Sequence, residues 1–328
     1  MARLAVIGAG AWGTALAIVA WRAGSAVILW ARDPEIVIAI NRRGENPCYL
    51  PRVSLDPAIV ATDDIAAATD TADAVLLAVP AQFLRSMLER LRPRIRPGLP
   101  LLHCAKGIEI GSLAMMSEIG AEMLPGSPFA VLSGPSFAAE VARDLPTAVT
   151  IASPNSSLAE YFTTALGGGR FRPYLSMDCV GVEIGGAVKN VIAIACGIVV
   201  GRGLGDNARA ALVTRALAEI VRLGIAKGAR AETFSGLSGL GDIVLSCTGG
   251  QSRNFALGLA LGRGHSLDAA AGGRSVIEGV ATASAVVQLA RRLGVEMPIC
   301  AAVDAVLHRG ASIDETTDRL LRRPYRSE

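Results

Sequence analysis

The sequence predicts a chain in two parts, an α/β unit followed by an all-helical one. Three observations carry this. Apolar runs of strand length alternate with helical stretches as far as residue 177. A glycine turn, Gly8-Ala9-Gly10-Ala11-Trp12-Gly13, lies between the first strand and the first helix. Beyond Met177 the strand signal stops and apolar residues recur at helical spacing. With 328 residues, one large or two ordinary domains are expected. The boundary is placed so that 1–177 is the first domain and 178–328 the second.

Composition narrows the function classes. Hydrophobic residues make up 51% of the chain and aromatics only 4%, so the core must be built of Ala, Val, Leu and Ile. The net charge of +3 is dispersed, without the basic block or interleaved aromatics of a nucleic-acid binder. Six cysteines, at 48, 104, 179, 196, 247 and 300, have no metal or redox spacing. They are expected to be buried thiols of a cytoplasmic protein, and no metal is expected. The N-terminus runs straight into a strand without the ordered regions of a signal peptide. The final segment, 322–328, is expected to fray.

Residues 3–7 read as a buried strand, and an Ala-rich helix follows the glycine turn and stops at Gly24. A G-x-G-x-x-G that opens a βαβ unit is a dinucleotide fingerprint. Gly8 allows the tight turn, Gly10 lets backbone approach a pyrophosphate, and Gly13 lets helix pack on strand. The helix N-terminus then offers free N–H groups to the phosphates. This makes the first domain Rossmann-type. Residues 26–30 form the second strand, and cofactor choice is written at its end. Arg32 argues for NADP(H), Asp33 leaves NAD(H) open, and Asp33 is equally placed to cap a helix starting at Pro34. A strand at 73–80 leads into an amphipathic helix to about Leu91. A strand at 99–104 delivers Lys106 at its carboxyl end, where ligands of open α/β sheets bind. A strand at 129–132 delivers Gly134 and Ser136 into a helix, as ligand donors or as an ordinary helix cap. A strand at 147–152, a helix at about 156–166 and a strand near 171–174 close the domain.

The second domain opens on 182–200, V-E-I-G-G-A-V-K-N-V-I-A-I-A-C-G-I-V-V. Its length would let it span a bilayer. Glu183, Lys189 and several glycines interrupt it and no second span accompanies it, so a buried helix of a non-membrane protein is expected. Burial disfavours the ammonium form of a lysine, and such an amine can exchange a proton near neutrality. Only three of the 32 basic residues are lysines: Lys106, Lys189 and Lys227. Where any cation would serve, this chain uses Arg, which does not titrate. Residues 201–206 are expected to be a loop and 207–223 a long helix. Residues 234–242 are expected to be a glycine-rich turn ending in Asp242, which either caps a helix or orients a lysine. Ser252-Arg253-Asn254 precedes another helix and combines a hydroxyl, a guanidinium fork and an amide, a phosphate-binding set or a polar helix start.

Hydride transfer to a ketone needs a proton donor for the developing alkoxide. His103, His265 and His308 lie in a strand, a loop and near the C-terminus. Lys189 is then the first candidate and Lys106 the second.

The motifs GAGAWGTALA, LLHCAKGIE, VLSGPSFAAEVA, EIGGAVKNVIAIACG, NARAALVTRALAE, TFSGLSGLGDIVLSCT, SRN and VIEGV run nearly end to end. Together they resemble the bacterial NAD(P)-dependent sn-glycerol-3-phosphate dehydrogenases. The resemblance implies interconversion of dihydroxyacetone phosphate and glycerol 3-phosphate, feeding phospholipid synthesis. It implies Lys189 as proton donor and acceptor, and Lys106 in contact with substrate and cofactor. Gly134, Ser136, Asp242, Ser252, Arg253 and Asn254 would line the substrate site, with Arg253 also reaching the cofactor. Ala11, Trp12, Arg32, Ala138, Val276 and Glu278 would line the dinucleotide site. Ala138, Val276 and Glu278 rest on the resemblance alone. The chain departs from the family at Ala11, where a Ser is common, at Gly249-Gly250-Gln251, and at Phe255, where a basic residue is common.

NADP(H) is the favoured cofactor, with NAD(H) tolerated. Two rivals stand beside the dehydrogenase reading: a two-domain reductase of another small keto acid, and a non-enzymatic NADPH sensor. The sequence permits a homodimer but marks no surface for one.

Overall fold

The structure, a computed structural model, describes residues 1–271 and 276–324; the last part of the tail expected to fray, 325–328, lies outside the described residues. Contacts divide the chain into two compact units. One comprises Met1–Lys106 and Met115–Glu183, and the other Gly107–Ala114 and the chain from Ile184 onward.

The first unit alternates strand and helix. Its order is β1 Arg3–Ile7, α1 Ala11–Arg22, β2 Ala26–Trp30, α2 Pro34–Arg43, β3 Glu45–Asn46, β4 Leu50–Ser54, β5 Val60–Thr62, α3 Ile65–Thr69, β6 Ala74–Leu77, α4 Leu84–Leu91, β7 Leu101–His103, α5 Met116–Met123, β8 Phe129–Ser133, α6 Ala138–Ala142, β9 Thr147–Ala152, α7 Ser156–Leu166 and β10 Phe171–Ser176. Local chemistry sets the helix ends. Asp33 caps α2 by accepting from the Glu35 N–H at 3.0 Å, Pro34 fixes the first turn, and Gly44 closes the helix in the left-handed conformation. Asn155 caps α7 in the same way, accepting from the Leu158 N–H.

Eight strands form one sheet in the order β10-β9-β8-β7-β6-β1-β2-β5, while β3 and β4 form a separate antiparallel pair. Neighbours in the large sheet are parallel except β8 and β9. The chain passes from β1 to β2 on one side, then returns to β6 on the other side of β1. This reversal opens the crevice where doubly wound sheets bind ligands. Its core is aliphatic, with Val6, Leu29, Leu76, Leu102, Leu132 and Ile151 buried.

Helix α8 runs Cys179–Gly201, longer at both ends than its apolar run suggests. Val182 in its first turns packs with Val131 and Ala152, and Glu183 bonds to His103. These contacts assign the helix start to the first unit. By contacts, the first turns of α8 through Glu183 go with the first unit, and 107–114 goes with the second.

The second unit continues through α9 Asp206–Ala226, α10 Asp242–Thr248, α11 Arg253–Gly262, α12 Leu267–Ala271, α13 Glu278–Arg292, α14 Pro298–His308 and α15 Ile313–Leu321. Residues 234–242 are not an open turn. A 3₁₀ turn at Ala231–Ser235 and a π-helical turn at Leu237–Gly241 lead directly into α10. Glycine makes this coiling affordable only in the steric sense: a Cβ on Gly239 would strike the Phe234 backbone, and one on Gly185 would strike the Ser238 carbonyl.

Helices α8 and α11 meet along a glycine seam. A Cβ on Gly197 or Gly201 would collide with the backbone of Phe255 or Leu259, and one on Gly258 would collide with that of Ile194. Gly262 likewise faces Ile198 and Gly201. By length and composition α8 could cross a membrane, but 83% of its most apolar stretch is buried inside the structure. Four cysteines (104, 196, 247 and 300) are buried, Cys179 is half-buried and Cys48 is exposed. Burial pushes the Cys104 and Cys300 thiols well up, and a hydrogen bond with Cys196 and burial do the same for Cys247.

Candidate functional site

In the first unit, the loop from β1 to α1 is shaped for close backbone approach. Gly8 has φ +113°, and a Cβ there would lie 2.8 Å from the Ala78 carbonyl oxygen after β6. A Cβ on Gly13 would strike the Gly8 carbonyl. Gly10 has nothing within 4 Å of such an atom, so its outer face is open. No side chain caps α1, and its first turn holds no acidic residue. The indole Nε1 of Trp12 is buried and has no hydrogen-bond partner among the described residues. An open glycine face, an uncapped helix N-terminus and an orphaned donor together fit a dinucleotide pyrophosphate. At the end of β2, Asp33 is occupied as the α2 cap, whereas Arg32 is exposed with no carboxylate paired to it among the described residues.

The carbonyl of Gly134 gathers two further candidates. Lys106 Nζ donates to it at 2.8 Å, and Ser136 Oγ donates at 2.9 Å. Gly134 has φ +131°, and a Cβ would sit 3.0 Å from Val149 Cα, so the turn is written for glycine. Ser136 does not cap α6; that position belongs to Phe137, and Ala138 begins the helix. Behind Lys106 lies a buried polar cluster. His103 Nε2 is 3.0 Å from Glu183 Oε1, and Glu183 also accepts from the Ser117 N–H at 2.8 Å and its hydroxyl at 2.6 Å. The Ala105 N–H donates to His103 Nδ1 at 3.3 Å, which makes Nε2 the protonated nitrogen, facing the carboxylate. This cluster braces the end of β7 at His103, three residues before Lys106, and holds the Ala105 N–H next to it.

In the second unit, Lys189 is almost enclosed. Its Nζ is 3.0 Å from Asp242 Oδ1 and donates to Ser246 Oγ at 2.7 Å; its side chain is 11% exposed and that of Asp242 only 1%. Ser246 in turn donates to Asp242 Oδ1 at 3.4 Å. Asp242 and Ser246 share one face of α10 at i and i+4. The arrangement holds a charged amine in an apolar helix face with its counter-charge beside it.

The Ser252-Arg253-Asn254 set divides its labour. Ser252 caps α11 by accepting from the Phe255 N–H, which uses the oxygen and leaves its own O–H as a donor. Asn254 Nδ2 donates to Asn190 Oδ1 at 2.9 Å, and its Oδ1 accepts from the Gly279 N–H at 3.0 Å. The amide thus ties α11 to α8 beside Lys189 and to the start of α13. Arg253 is exposed in the first position of α11. Val276 is 40% exposed, and Glu278 opens α13. Among the described residues no group of three or more His, Cys, Asp or Glu is placed to hold a metal ion.

Two family models cover this layout. NAD-dependent glycerol-3-phosphate dehydrogenase N-terminus matches 3–159, and the corresponding C-terminus model matches 178–318. The chain belongs to this family. The dehydrogenase is 59% identical over 326 residues to a glycerol-3-phosphate dehydrogenase (NAD(P)+) of Rhodospirillum rubrum, covering 99% of this chain and 93% of that one. It is 54% identical over 327 residues to the protein of that name from Caulobacter vibrioides, covering 99% and 98%. A crystal structure of glycerol-3-phosphate dehydrogenase from Coxiella burnetii matches with a TM-score of 0.94 and 41% identity, over 98% of this chain and 99% of that one. The dehydrogenase is accordingly an NAD(P)-dependent oxidoreductase with a Rossmann-type first domain and a helical second one.

The structure brings Lys189 to Asp242, and Lys106 to Gly134 and Ser136, as groups within their own units. Ser246, Asn190 and the His103–Glu183 pair complete those groups; they lie within the motifs that carry the resemblance, but no spacing in the sequence gives them a role.

Proposed function

We propose that this dehydrogenase reduces dihydroxyacetone phosphate to sn-glycerol 3-phosphate, reversibly, with Lys189 as the general acid and base. The observation that carries the reading is the Lys189 amine held between Asp242 and Ser246, in a chain whose close relatives bear the dehydrogenase name. When bound, the reduced nicotinamide supplies a hydride to the carbonyl carbon. The chain's own residues manage the proton and the orientation. Lys189 Nζ gives a proton to the carbonyl oxygen as it gains negative charge, which yields the carbinol; in reverse it takes that proton back. Asp242 and Ser246 hold two of the three ammonium N–H bonds and so aim the third.

Arg253 and the first N–H groups of α11 hold the substrate phosphate, with the remaining Asn254 N–H beside them. Ser252, whose hydroxyl oxygen accepts from the Phe255 N–H, keeps its own O–H to donate to the same phosphate. Lys106 touches substrate and cofactor, held by the Gly134 carbonyl that Ser136 shares. Gly8, Gly10, Ala11, Trp12 and Gly13 receive the pyrophosphate, and Arg32 receives the 2′-phosphate of NADP(H), the preferred cofactor. Ala138, Val276, Glu278 and Arg253 complete the dinucleotide contacts on the strength of the family resemblance. The reading puts the enzyme in the cytoplasm and off the membrane, with its product feeding phospholipid synthesis, and it permits a homodimer.

The deciding experiment is NADPH oxidation by purified protein with dihydroxyacetone phosphate, run beside dihydroxyacetone. Turnover that depends on the phosphate supports the reading. Comparable rates with both compounds detach Arg253 from phosphate binding, and NADPH binding without turnover removes the reductase activity.

A further inference from the structure

Asn46 lies in the two-residue strand β3 and is fully buried. Its Nδ2 donates to the Ala9 carbonyl at 2.9 Å and to Thr14 Oγ1 at 2.9 Å, using both amide hydrogens. Its Oδ1 accepts from the Tyr49 N–H at 3.2 Å. One side chain therefore clasps the middle of the Gly8-Ala9-Gly10 turn and the first turn of α1 from the far side of the loop. Its own position is braced. Gly44 ends α2 with φ +62°, and the Leu55 N–H donates to the Gly44 carbonyl at 2.7 Å, closing the hairpin that carries Asn46.

The consequence follows from peptide geometry. In a trans peptide the C=O and the following N–H point in opposite directions. Fixing the Ala9 carbonyl toward Asn46 turns the Gly10 N–H the other way, and a Cβ built on Gly10 would meet none of the described atoms beyond its chain neighbours within 4 Å. Thr14 is buried too, and its N–H closes the first α1 bond to the Gly10 carbonyl at 2.9 Å, so the clasp also sets where α1 begins.

We propose that Asn46 is a positioning residue for the dinucleotide pyrophosphate: by holding the Ala9 carbonyl and the Thr14 hydroxyl, it presents the Gly10 N–H and the first turn of α1 to the phosphates. It touches no ligand itself. This rests on the cofactor part of the function proposed above and not on the substrate. Its effect is expected to be the same for NADPH and NADH, because both carry the same pyrophosphate.

The test is equilibrium binding of four ligands to Asn46→Asp, which keeps the shape and removes both donors. NADPH, NADH and ADP-ribose all contain the pyrophosphate; 2′-AMP does not. The expected result is a rise of about tenfold in Kd for the first three, the loss of roughly one buried hydrogen bond, and an unchanged Kd for 2′-AMP. Equal losses for 2′-AMP, or no loss for ADP-ribose, would overturn the proposal, since a general loosening of the fold does not sort ligands by their phosphates. If Asn46→Asp does not fold, Thr14→Val removes one of the two acceptors. It is expected to weaken the pyrophosphate ligands alone, about threefold; unchanged binding there overturns the proposal as well. Parent protein that binds NADPH but does not reduce dihydroxyacetone phosphate refutes the activity and leaves this test standing. Parent protein that binds no dinucleotide refutes both.

Discussion

The Lys189 ammonium and the Asp242 carboxylate face each other at 3.0 Å, with Asp242 1% exposed. Neither group would be stable there alone. A buried charge left without its partner costs about 3–5 kcal/mol, whereas the pair with its extra hydrogen bond to Ser246 is tolerated. Structure and chemistry are therefore entangled at Lys189, and a test of its role must separate them.

Lys189→Ala is expected to lower kcat by about 10²–10⁴-fold and to lower Tm, because it strands Asp242. Combining Lys189→Ala with Asp242→Asn removes the stranded charge. The double variant is expected to recover most of the lost Tm and none of the lost kcat. Recovery of turnover alongside Tm would show that Lys189 is structural.

Arg32 is exposed at the end of β2 while Asp33 is held as a helix cap. Arg32→Ala is expected to raise KM for NADPH about tenfold or more, as loss of a guanidinium–phosphate contact does, and to change KM for NADH little. Steady-state kinetics with both cofactors reads this directly, and equal changes would remove the cofactor preference.

Glu219 in α9 is 1% exposed, and burial pushes its carboxyl up to about 7, only partly offset by the Ile299 and Cys300 N–H groups that bond to it. The unfolded chain binds this proton less tightly, near the ordinary carboxylate value of about 4.5. Between those two values the native state holds more protons, so stability falls as pH rises from about 4.5 through 7. Tm followed over this range is expected to show that decline in the parent and a flatter profile in Glu219→Gln. A parent Tm that climbs through the window, with the same slope in the variant, would contradict it.

The glycine seam between α8 and α11 leaves no room for a methyl group. Gly197→Ala and Gly258→Ala are each expected to destabilise by about 1–3 kcal/mol through overpacking, measured by denaturant unfolding. Gly10→Ala, whose added atom meets nothing within 4 Å, is expected to leave stability nearly unchanged and to weaken dinucleotide binding. A seam variant as stable as the parent would mean that the helices can separate freely.

Much of this layout is legible in the chain. The alternation of strands and helices, the glycine turn and the cap at Asp33 are local, so they show in sequence. Lys106 and Lys189 stand out because the protein uses Arg almost everywhere else. Residues that act across long stretches of sequence are silent. Asn46 reaches Ala9 over 37 positions and Glu183 reaches His103 over 80. Ser246 is hidden for another reason. The glycines of 236–241 look like an open turn, which conceals the helical register that puts Ser246 one turn after Asp242. The Ser252-Arg253-Asn254 segment shows the opposite limit. Its polarity is plain, but only the folded chain shows that Ser252 and Asn254 are engaged with protein.

The glycine seam also bears on the order in which the chain can be made. Gly258 follows Gly197 by 61 positions, so α8 leaves the ribosome well before the helix that covers its glycine face exists. During that interval the most apolar segment of the protein is an uncovered helix of membrane-spanning length. Synthesis of the second unit therefore has a vulnerable period that ends only when α11 arrives, and slow translation between the two helices would lengthen it.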